Sequence, residues 1–431
     1  MTRVARTIVV LSLSPILAMS TLVESVDAQE PLLEIENGQA TEVLQVAEDG
    51  GFVVKGSLGT GTTPATGGGV RLMWYPGKAA LRAGVVGSDE WDNDNVGGAS
   101  IALGTNTTAN GGNAVALGAG TTASGGNSTA AGTQTVASGS ASTALGSVSR
   151  AYGAAATAMG SGTEAGDYST ATGRSTRAVG FGSTAMGNFT TASAEFSTAL
   201  GDRSTASGPG STASGNLTLA SGEYSLAIGI GTKATGARSV ALGDNTTAAG
   251  LGSVAMGSYV TAGNGSFIFG DRSSTQVQAA GSNQFVVRAH GGIGFNSGTN
   301  IGCDLPAGVG AWACTSSRMA KEGFEAMDGE AMLARLALIP IQRWTYLGSP
   351  SAHVGPVAED FWAAFGLGEG STTITTVDAD GIALLGVQTL ERRTAELRAE
   401  NAELRAANAE LAEAQADLLR RLEALEARGD L

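Results

Sequence analysis

The sequence predicts a mainly β protein whose central part is a parallel β-solenoid. A fourteen-residue motif recurs through residues 100–275, with starts at positions 100, 114, 128, 142, 156, 169, 183, 197, 211, 225, 239, 253 and 266. Glycine supplies 65 of the 431 residues, whereas only 15% of residues are charged and 5% are aromatic. A fixed short period is the sequence signature of a solenoid. The composition argues against one large globular core.

Each repeat contains a five-residue stretch whose alternation suits a short strand. Ser239–Gly243 reads Ser-Val-Ala-Leu-Gly, and Ser225–Gly229 follows the same pattern. The second half of a repeat has the form Thr-Thr-Ala-Ser-Gly, as at Thr121–Gly125. Glycine ends each strand because it turns through positive φ at little cost. One repeat therefore predicts one coil with two short strands and two tight turns.

The interior of this roll is predicted to hold mostly Ala, Val, Leu, Met and Ile. Stacking the coils pairs every backbone group except those at the two ends. Because such a core is thin, the roll is expected to need neighbours, and we predict a homotrimer. A disordered Gly/Ser/Thr/Ala linker is the alternative, and the strict phasing of the aliphatic positions argues against it.

The repeats resemble the head of trimeric autotransporter adhesins, a left-handed parallel β-roll. The resemblance rests on Ser-Val-Ala-Leu-Gly followed by Ala-x-Gly at this spacing, and it covers residues 100–275. It implies left-handed coils, three chains, and a surface for adhesion to a cell-surface or matrix ligand.

The charge pattern excludes several classes of function. The net charge is −14, and residues 100–265 hold six Lys or Arg against six Asp or Glu, so the repeats offer no basic surface for nucleic acid. The repeats also lack clustered His, Asp and Glu. We therefore expect no nucleic-acid partner, no cofactor, no metal and no external substrate.

Residues 1–28 are predicted to be a secretory signal peptide. Arg3 and Arg6 precede the apolar stretch Thr7–Val23, and small residues at Val26–Ala28 suit cleavage. A retained membrane anchor is the alternative, although the apolar run is short for a stable span. The expected location is secreted, extracellular or at the cell surface.

Residues 29–99 are predicted to be an N-terminal cap over the first coil. The aromatic residues that the repeats lack are concentrated here, at Trp74, Tyr75 and Trp91. A cap covers the open end of a solenoid. An aromatic ligand-binding patch is the alternative.

Residues 276–314 are expected to form a β collar after the roll. Cys303 and Cys314, the only cysteines, flank a short loop that contains Pro306. In an exported chain two such cysteines favour an intrachain disulfide. A metal site is less favoured, because His290 is the only imidazole nearby.

Residues 315–386 predict a compact α+β domain. Asp328–Ile339 has a helical pattern, Ile341–Tyr346 suits a strand, and Ala358–Phe365 suits an amphipathic helix. A coiled coil follows at residues 387–431.

This region resembles the endosialidase-type intramolecular chaperone domain of phage tail spikes and fibres. The matching stretches are Ser316–Lys321, Leu338–Tyr346 and His353–Asp360, in the order of that family. The resemblance implies a domain that trimerises the chain, assists assembly of its β-structured part, and cuts itself off as a serine self-peptidase. Ser317, Met319 and Glu359 stand where the family usually has Asp, Arg and Gln.

The resemblance and the chemistry together nominate Ser316 as nucleophile and Lys321 as the base that activates it. A serine hydroxyl is a weak nucleophile until a neighbour takes its proton. His353 would orient the pair or polarise the scissile carbonyl. The alternative is that Ser316 caps the following segment and Lys321 is solvated. Ser317, which stands where the family usually has Asp, favours this alternative.

The coiled coil is read from leucines that recur every seven residues, at Leu390, Leu397, Leu404, Leu411, Leu418 and Leu425. The second core position of the heptad holds polar residues such as Asn401 and Asn408. Polar residues at this position fix the register and the number of helices in the coiled coil. Asn at these heptad positions often suits dimers, but the repeats and the chaperone-like domain each imply trimers. We expect no membrane-spanning barrel, because a charged coiled coil ends the sequence.

The sequence thus predicts an exported homotrimeric, adhesin-like fibre. Its C-terminal domain would act as a trimerisation chaperone that releases itself beside Ser316. The alternative is a surface adhesin or fibre that does not cleave and in which this domain only trimerises the chain.

Overall fold

The computed structural model describes residues 33–36, 42–46, 51–59, 61–272, 275–298 and 301–429. The chain divides into two compact units, Met1–Phe295 with Cys303–Ala313, and Asn296–Gly302 with Cys314–Leu431. The predicted signal peptide, residues 1–28, lies outside the described residues.

The first unit contains a parallel β-solenoid built from two sheets, one of 16 strands and one of 13 strands. Each coil contributes one long strand to the first sheet and one short strand to the second. Equivalent residues of successive coils pair in register, as Val240 pairs with Val254 and Leu242 with Met256. The predicted parallel β-solenoid is confirmed, and each of its first thirteen long strands begins one residue after a predicted repeat start.

The long strands are Ile101–Thr105, Val115–Ala119, Thr129–Thr133, Thr143–Ser147, Thr157–Ser161, Thr170–Arg174, Thr184–Asn188, Thr198–Asp202, Thr212–Asn216, Leu226–Ile230, Val240–Asp244, Val254–Ser258, Phe267–Gly270 and Phe285–Arg288. The short strands are Thr108–Ala109, Thr122–Ala123, Val136–Ala137, Arg150–Ala151, Glu164–Ala165, Arg177–Ala178, Thr191–Ala192, Thr205–Ala206, Leu219–Ala220, Lys233–Ala234, Thr247–Ala248, Val260–Ala262 and Val277–Gln278.

The solenoid interior consists of alanine columns rather than mixed aliphatic residues. Ala241 of a long strand and Ala248 of the facing short strand are both fully buried. Val240 and Leu242 lie on the outside of the same sheet and are half-buried. The prediction that Val, Leu, Met and Ile line the interior is therefore wrong. Side chains alternate across a strand, so a buried alanine directs its two neighbours outward.

Buried hydroxyls fill the remaining interior positions. A Ser precedes most long strands and a Thr or Ser precedes most short ones, as at Ser239 and Thr246, which are fully buried. Some of these hydroxyls donate to carbonyl oxygens, as Ser253 Oγ does to that of Gly250 at 2.8 Å and Ser204 Oγ to that of Gly215 at 3.0 Å. The hydroxyls of Ser239 and Thr246 have no hydrogen-bond partner among the described residues. The hydroxyl columns therefore fill the space beside the alanine core, and only some of their members bond the backbone.

Glycine ends most of the long-strand patterns because neighbouring coils approach closely there. Gly187 has φ +124°, and a Cβ on it would lie 2.0 Å from the carbonyl oxygen of Gly201 in the next coil. Each coil also turns through left-handed residues, such as Arg238 (φ 56°) and Asn245 (φ 50°) in adjacent turns. The repeat thus constrains the backbone conformation of these positions more tightly than the identity of their side chains.

A β-hairpin and a buried arginine close the N-terminal end of the solenoid. Strand Ala80–Val86 pairs with Gly69–Tyr75 and, in parallel, with the first long strand. Arg82 takes the place of the core alanine, and its guanidinium donates to the carbonyl oxygens of Ser100 and Ala109 at 3.0 and 2.9 Å. Burial lowers the pKa of Arg82 to about 10, so it stays charged at neutral pH.

Two of the three aromatic residues named for this region are buried, whereas Trp74 is 37% exposed. Trp91 is fully buried, and its Nε1 donates to the carbonyl oxygen of Thr107 at 2.8 Å. Tyr75 is also buried, and its hydroxyl donates to Asn93 Oδ1 at 2.9 Å. Upstream, strands Leu33–Glu36, Glu42–Val46 and Phe52–Val54 form an antiparallel sheet.

At the other end, larger apolar residues and a polar cluster complete the roll. Ile268 pairs with Ala255 and Val286, so the alanine column ends in bulkier side chains. Asp271 accepts hydrogen bonds from Arg288 Nε at 2.9 Å and from the His290 backbone amide at 2.6 Å. Bonds from the His290 amide, the His290 ring and Arg288 lower the pKa of Asp271 to about 2.

Beyond the roll, strands run over Gly292–Gly298, Ile301–Pro306 and Ala313–Cys314. The second unit then holds helix α1 (Gly329–Leu336), an antiparallel hairpin (Gln342–Thr345 and Ala352–Gly355), helix α2 (Ala358–Phe365) and helix α3 (Thr376–Ala427). Short 3-10 turns occur at Pro76–Lys78, Asn93–Asn95 and Arg318–Ala320.

The three helices share one small core. Met332 of α1, Phe361 of α2 and Ile382 of α3 are buried together. Helices α1 and α3 approach closely at Gly329, where a Cβ would lie 2.1 Å from Thr389 Oγ1. Helix α3 thus begins before the heptad region and contributes its first turns to this core. Among the described residues, no helix combines the length and the apolar character needed to cross a membrane.

We expect Gly187→Ala to unfold the solenoid at lower temperature. The new Cβ would overlap the Gly201 carbonyl at a positive φ, which costs about 3 kcal/mol or more. The matched control is Gly252→Asn, at φ +61° with open space around it, where Asn is tolerated. Thermal melting by circular dichroism compares the two; equal melting temperatures would contradict the close-approach explanation.

We expect the stabilisation from Asp271 to disappear in acid. Its folded pKa lies below the usual value, so the contribution is complete above about pH 4 and is lost as the pH falls towards 2. The measurement is the melting-temperature difference between the wild type and Asp271→Asn at pH 7 and at pH 2. This difference should shrink at pH 2, and a constant difference would argue against the ionised carboxylate as the cause.

Candidate functional site

The structure brings two of the three predicted site residues into direct contact. Lys321 Nζ donates a hydrogen bond to Ser316 Oγ at 2.7 Å. The two residues are five positions apart, and both are exposed in the single chain. A nucleophile and a base within hydrogen-bonding reach are the geometry that an activated serine requires.

A short 3-10 turn creates this contact. Ser317, not Ser316, caps the turn Arg318–Ala320, and its Oγ accepts from the Met319 amide at 3.2 Å. Lys321 follows the turn, and its own amide donates to the carbonyl oxygen of Arg318 at 3.3 Å. The cap therefore leaves the Ser316 hydroxyl available and returns the Lys321 side chain towards it.

His353 lies in an aromatic cluster. Its ring stacks on Trp344, with centroids 4.9 Å apart, and meets Tyr346 edge to face at 5.5 Å. The hairpin register explains this, since Trp344 pairs directly with His353. Within residues 301–429, the hydrogen bonds of Ser316 and Lys321 do not include His353. The ring is thus held by packing, and its relation to the other two site residues is not fixed by a bond.

Lys321 can accept the proton of the Ser316 hydroxyl only when its amine is neutral. Burial disfavours the charged form of lysine, and nearby cations do the same. Met319, between the two residues, is 98% exposed, so little protein covers this turn in one chain. A surface that packs over the turn would supply the missing burial.

The remaining predicted site residues are the two cysteines. Cys303 and Cys314 are both disulfide-bonded. Across the described residues, no group of three or more His, Cys, Asp or Glu side chains is arranged to hold a metal ion.

The solenoid presents a second candidate site, the outward face of its long-strand sheet. Two positions per strand point away from the interior, and they carry mostly aliphatic or Thr side chains along the roll, as at Val115 and Leu117 or at Val240 and Leu242. Towards the end the column becomes aromatic, with Phe267 stacked on Phe285 at 5.4 Å. This outer apolar face follows the roll because the coils stack in register, and it is interrupted where Thr170 and Thr172, and then Thr212 and Ser214, face outward.

Helix α3 presents a third apolar surface. Its heptad leucines are exposed by 44–71% in the single chain, at Leu390, Leu397, Leu404, Leu411, Leu418 and Leu425. A row of leucines at this spacing is the contact surface of a coiled coil.

The sequence reasoning missed the outer apolar face by assigning its residues to the interior. The alternation of Ser-Val-Ala-Leu-Gly holds the needed signal, because only Ala occupies its position in nearly every repeat, whereas the neighbouring positions vary between Thr, Val, Leu, Met and Ile. A position that must fit a narrow interior tolerates less variation than one that faces outward.

Comparison with known families gives a match in the repeats. A model described as the YadA head domain repeat matches residues 97–121, 123–149, 178–204, 201–216, 206–232, 220–246 and 234–259. These segments lie in the solenoid, so the resemblance of the repeats to trimeric autotransporter adhesin heads is confirmed. No curated protein matches the chain.

Proposed function

We propose that this protein is an exported homotrimeric fibre with an adhesin-like function. The observation that carries the proposal is the outer apolar face of the long-strand sheet. Apolar side chains exposed along most of one solenoid face are unfavourable in water and mark an interaction site. Three chains that turn these faces towards a common axis would bury them, and the match to YadA head repeats supports that arrangement.

Two further features favour association of the chains, and the second favours three. The exposed leucines of α3 need partner helices of the same kind, and the heptad spacing supports a supercoil. The resemblance to chaperone domains of phage fibres also implies a trimer. In this proposal the coils are left-handed, the segment 1–28 directs export, and the second unit trimerises the chain.

We expect the full chain to be a trimer by light scattering. Val240→Lys combined with Leu242→Lys places charges in the proposed interface and should lower the melting temperature by at least about 5 °C. The control is Thr247→Lys on the short-strand sheet, where Lys233 shows that the same column accepts a lysine. A monomeric wild type would refute the trimer.

A second candidate function is self-cleavage, which the contact between Ser316 and Lys321 favours. Ser316 Oγ would attack the carbonyl carbon of Thr315 while its proton passes to Lys321 Nζ. The proton then goes to the departing amine of Ser316, and water hydrolyses the resulting ester. Packing of a neighbouring chain over the exposed turn would disfavour the charged lysine, so cleavage would follow assembly. The alternative is a fibre that does not cleave.

We expect the folded wild type to yield fragments ending at 315 and beginning at 316. Ser316→Ala and Lys321→Ala should each leave one uncut band on a denaturing gel while the trimer still forms. Ser317→Ala removes the cap but not the pair, and is expected to cleave. If the assembled wild type stays full-length, the second unit is an assembly module only, and the fibre proposal stands unchanged.

A further inference from the structure

One turn edge of the solenoid carries exposed aromatic side chains over its middle coils. We call it the aromatic edge; it comprises Tyr152, Tyr168, Phe181, Phe196 and Tyr224, which are 45–62% exposed. The same turn in the earlier coils holds small or polar residues, such as Asn113 and Asn127. The edge is therefore a local feature and not a consequence of the repeat itself.

Three of the rings are in contact with one another. Tyr168 and Phe181 have centroids 5.2 Å apart, and Phe181 meets Phe196 edge to face at 5.7 Å. Further along, Tyr224 lies over Gly210, where a Cβ would be only 2.6 Å from the ring. Glycine in the alternate coils thus makes room for the large rings.

Three of these aromatic residues adopt a backbone conformation that bulky side chains avoid. Tyr168, Phe196 and Tyr224 have φ of 55°, 53° and 53°, in the left-handed region. Equivalent positions in other coils hold Asn, Gly, Ala or Arg, of which Asn and Gly adopt this region most readily. The aromatic residues thus occupy a turn position that the coil keeps left-handed whatever its side chain.

A carboxylate precedes each of these three rings. The pairs Asp167–Tyr168, Glu195–Phe196 and Glu223–Tyr224 recur every 28 residues, which is every second coil. Asp167 also accepts a hydrogen bond from the Ala154 amide at 2.7 Å, whereas Glu195 and Glu223 are exposed. At about 4.8 Å between paired strands, the pairs repeat every ~9.6 Å along the edge.

We propose that the aromatic edge binds an extended basic peptide with a cationic side chain at every third residue. Ammonium and guanidinium groups are attracted both to the faces of Tyr and Phe and to carboxylates. A polyproline II helix rises about 9.3 Å per three-residue turn, which matches the ~9.6 Å repeat of the pairs. A β-strand does not fit, because its side chains return to one face every second residue.

The charge of the edge selects against other ligands. Three carboxylates lie along it, and Arg238 follows at its far end. Nucleic acids and acidic polysaccharides would be repelled by the carboxylates. A second copy of this chain would bring the same carboxylates against each other. The inference deepens the adhesin-like function proposed above, for which it supplies a ligand class.

The test measures binding of fluorescent peptides to the full chain by anisotropy. The probe has the sequence (Lys-Pro-Pro)5, and the controls are (Glu-Pro-Pro)5 and a peptide of equal composition whose five lysines are consecutive. We expect the probe to bind, with an affinity that falls as salt is raised. The acidic control should not bind. The peptide with consecutive lysines should bind at least about fivefold more weakly than the probe, because only the end that carries its lysines can contact the carboxylate–aromatic pairs.

Two double variants locate the site. Phe196→Asn with Tyr224→Asn, and Glu195→Gln with Glu223→Gln, should each weaken probe binding at least about fivefold. The controls are Phe189→Asn, a left-handed aromatic residue in the other turn, and Asp244→Asn, which ends a long strand. Both controls should bind like the wild type.

The outcomes separate the proposals. Equal binding of the probe and the consecutive-lysine peptide, or unchanged binding by both double variants, would overturn the peptide site. A change of molar mass in either double variant, measured by light scattering, would also overturn it and identify the edge as an interface between chains. A wild-type trimer that binds no probe would refute this inference alone, whereas a monomeric wild type would refute the fibre.

Discussion

The narrow interior of each coil is the constraint on which the rest of the structure depends. Two strands face each other at a distance that only alanine and small hydroxyl side chains fill, as at Ala241 and Ala248. Such a core buries little apolar area per residue, so hydrophobic burial within one coil stabilises it weakly. In-register hydrogen bonding between coils then carries much of the stability, and it requires close backbone approach at glycines such as Gly187.

This constraint also determines what faces solvent. Because alanine occupies the interior, the larger Val, Leu and Met side chains of the long strands lie outside and need a partner surface. At the two ends of the stack, the last coils leave backbone groups and core atoms without a neighbouring coil to cover them. Arg82 and Trp91 satisfy carbonyls at one end, while Ile268 and the Asp271 cluster close the other.

The same turns that hold the coils together also present side chains at the surface. A left-handed residue ends each turn, and its side chain projects from the edge with little effect on the core. Aromatic residues at these positions therefore create a surface at a local backbone cost, which the stacked coils on both sides can support. In the second unit, a 3-10 turn brings the side chain of Lys321 to the hydroxyl of Ser316.

The sequence by itself determined the period, the strands and the two-turn coil, because a repeat that must pair with itself leaves a strict pattern. It also determined helix α2 at Ala358–Phe365 and placed Ser316 near Lys321. Only the tertiary structure decided which face of each strand is buried, since alternation is symmetric between the two faces until the width of the interior is known. It also decided that Ser317 caps the turn and that His353 packs on Trp344, because such contacts depend on local backbone geometry and hairpin register.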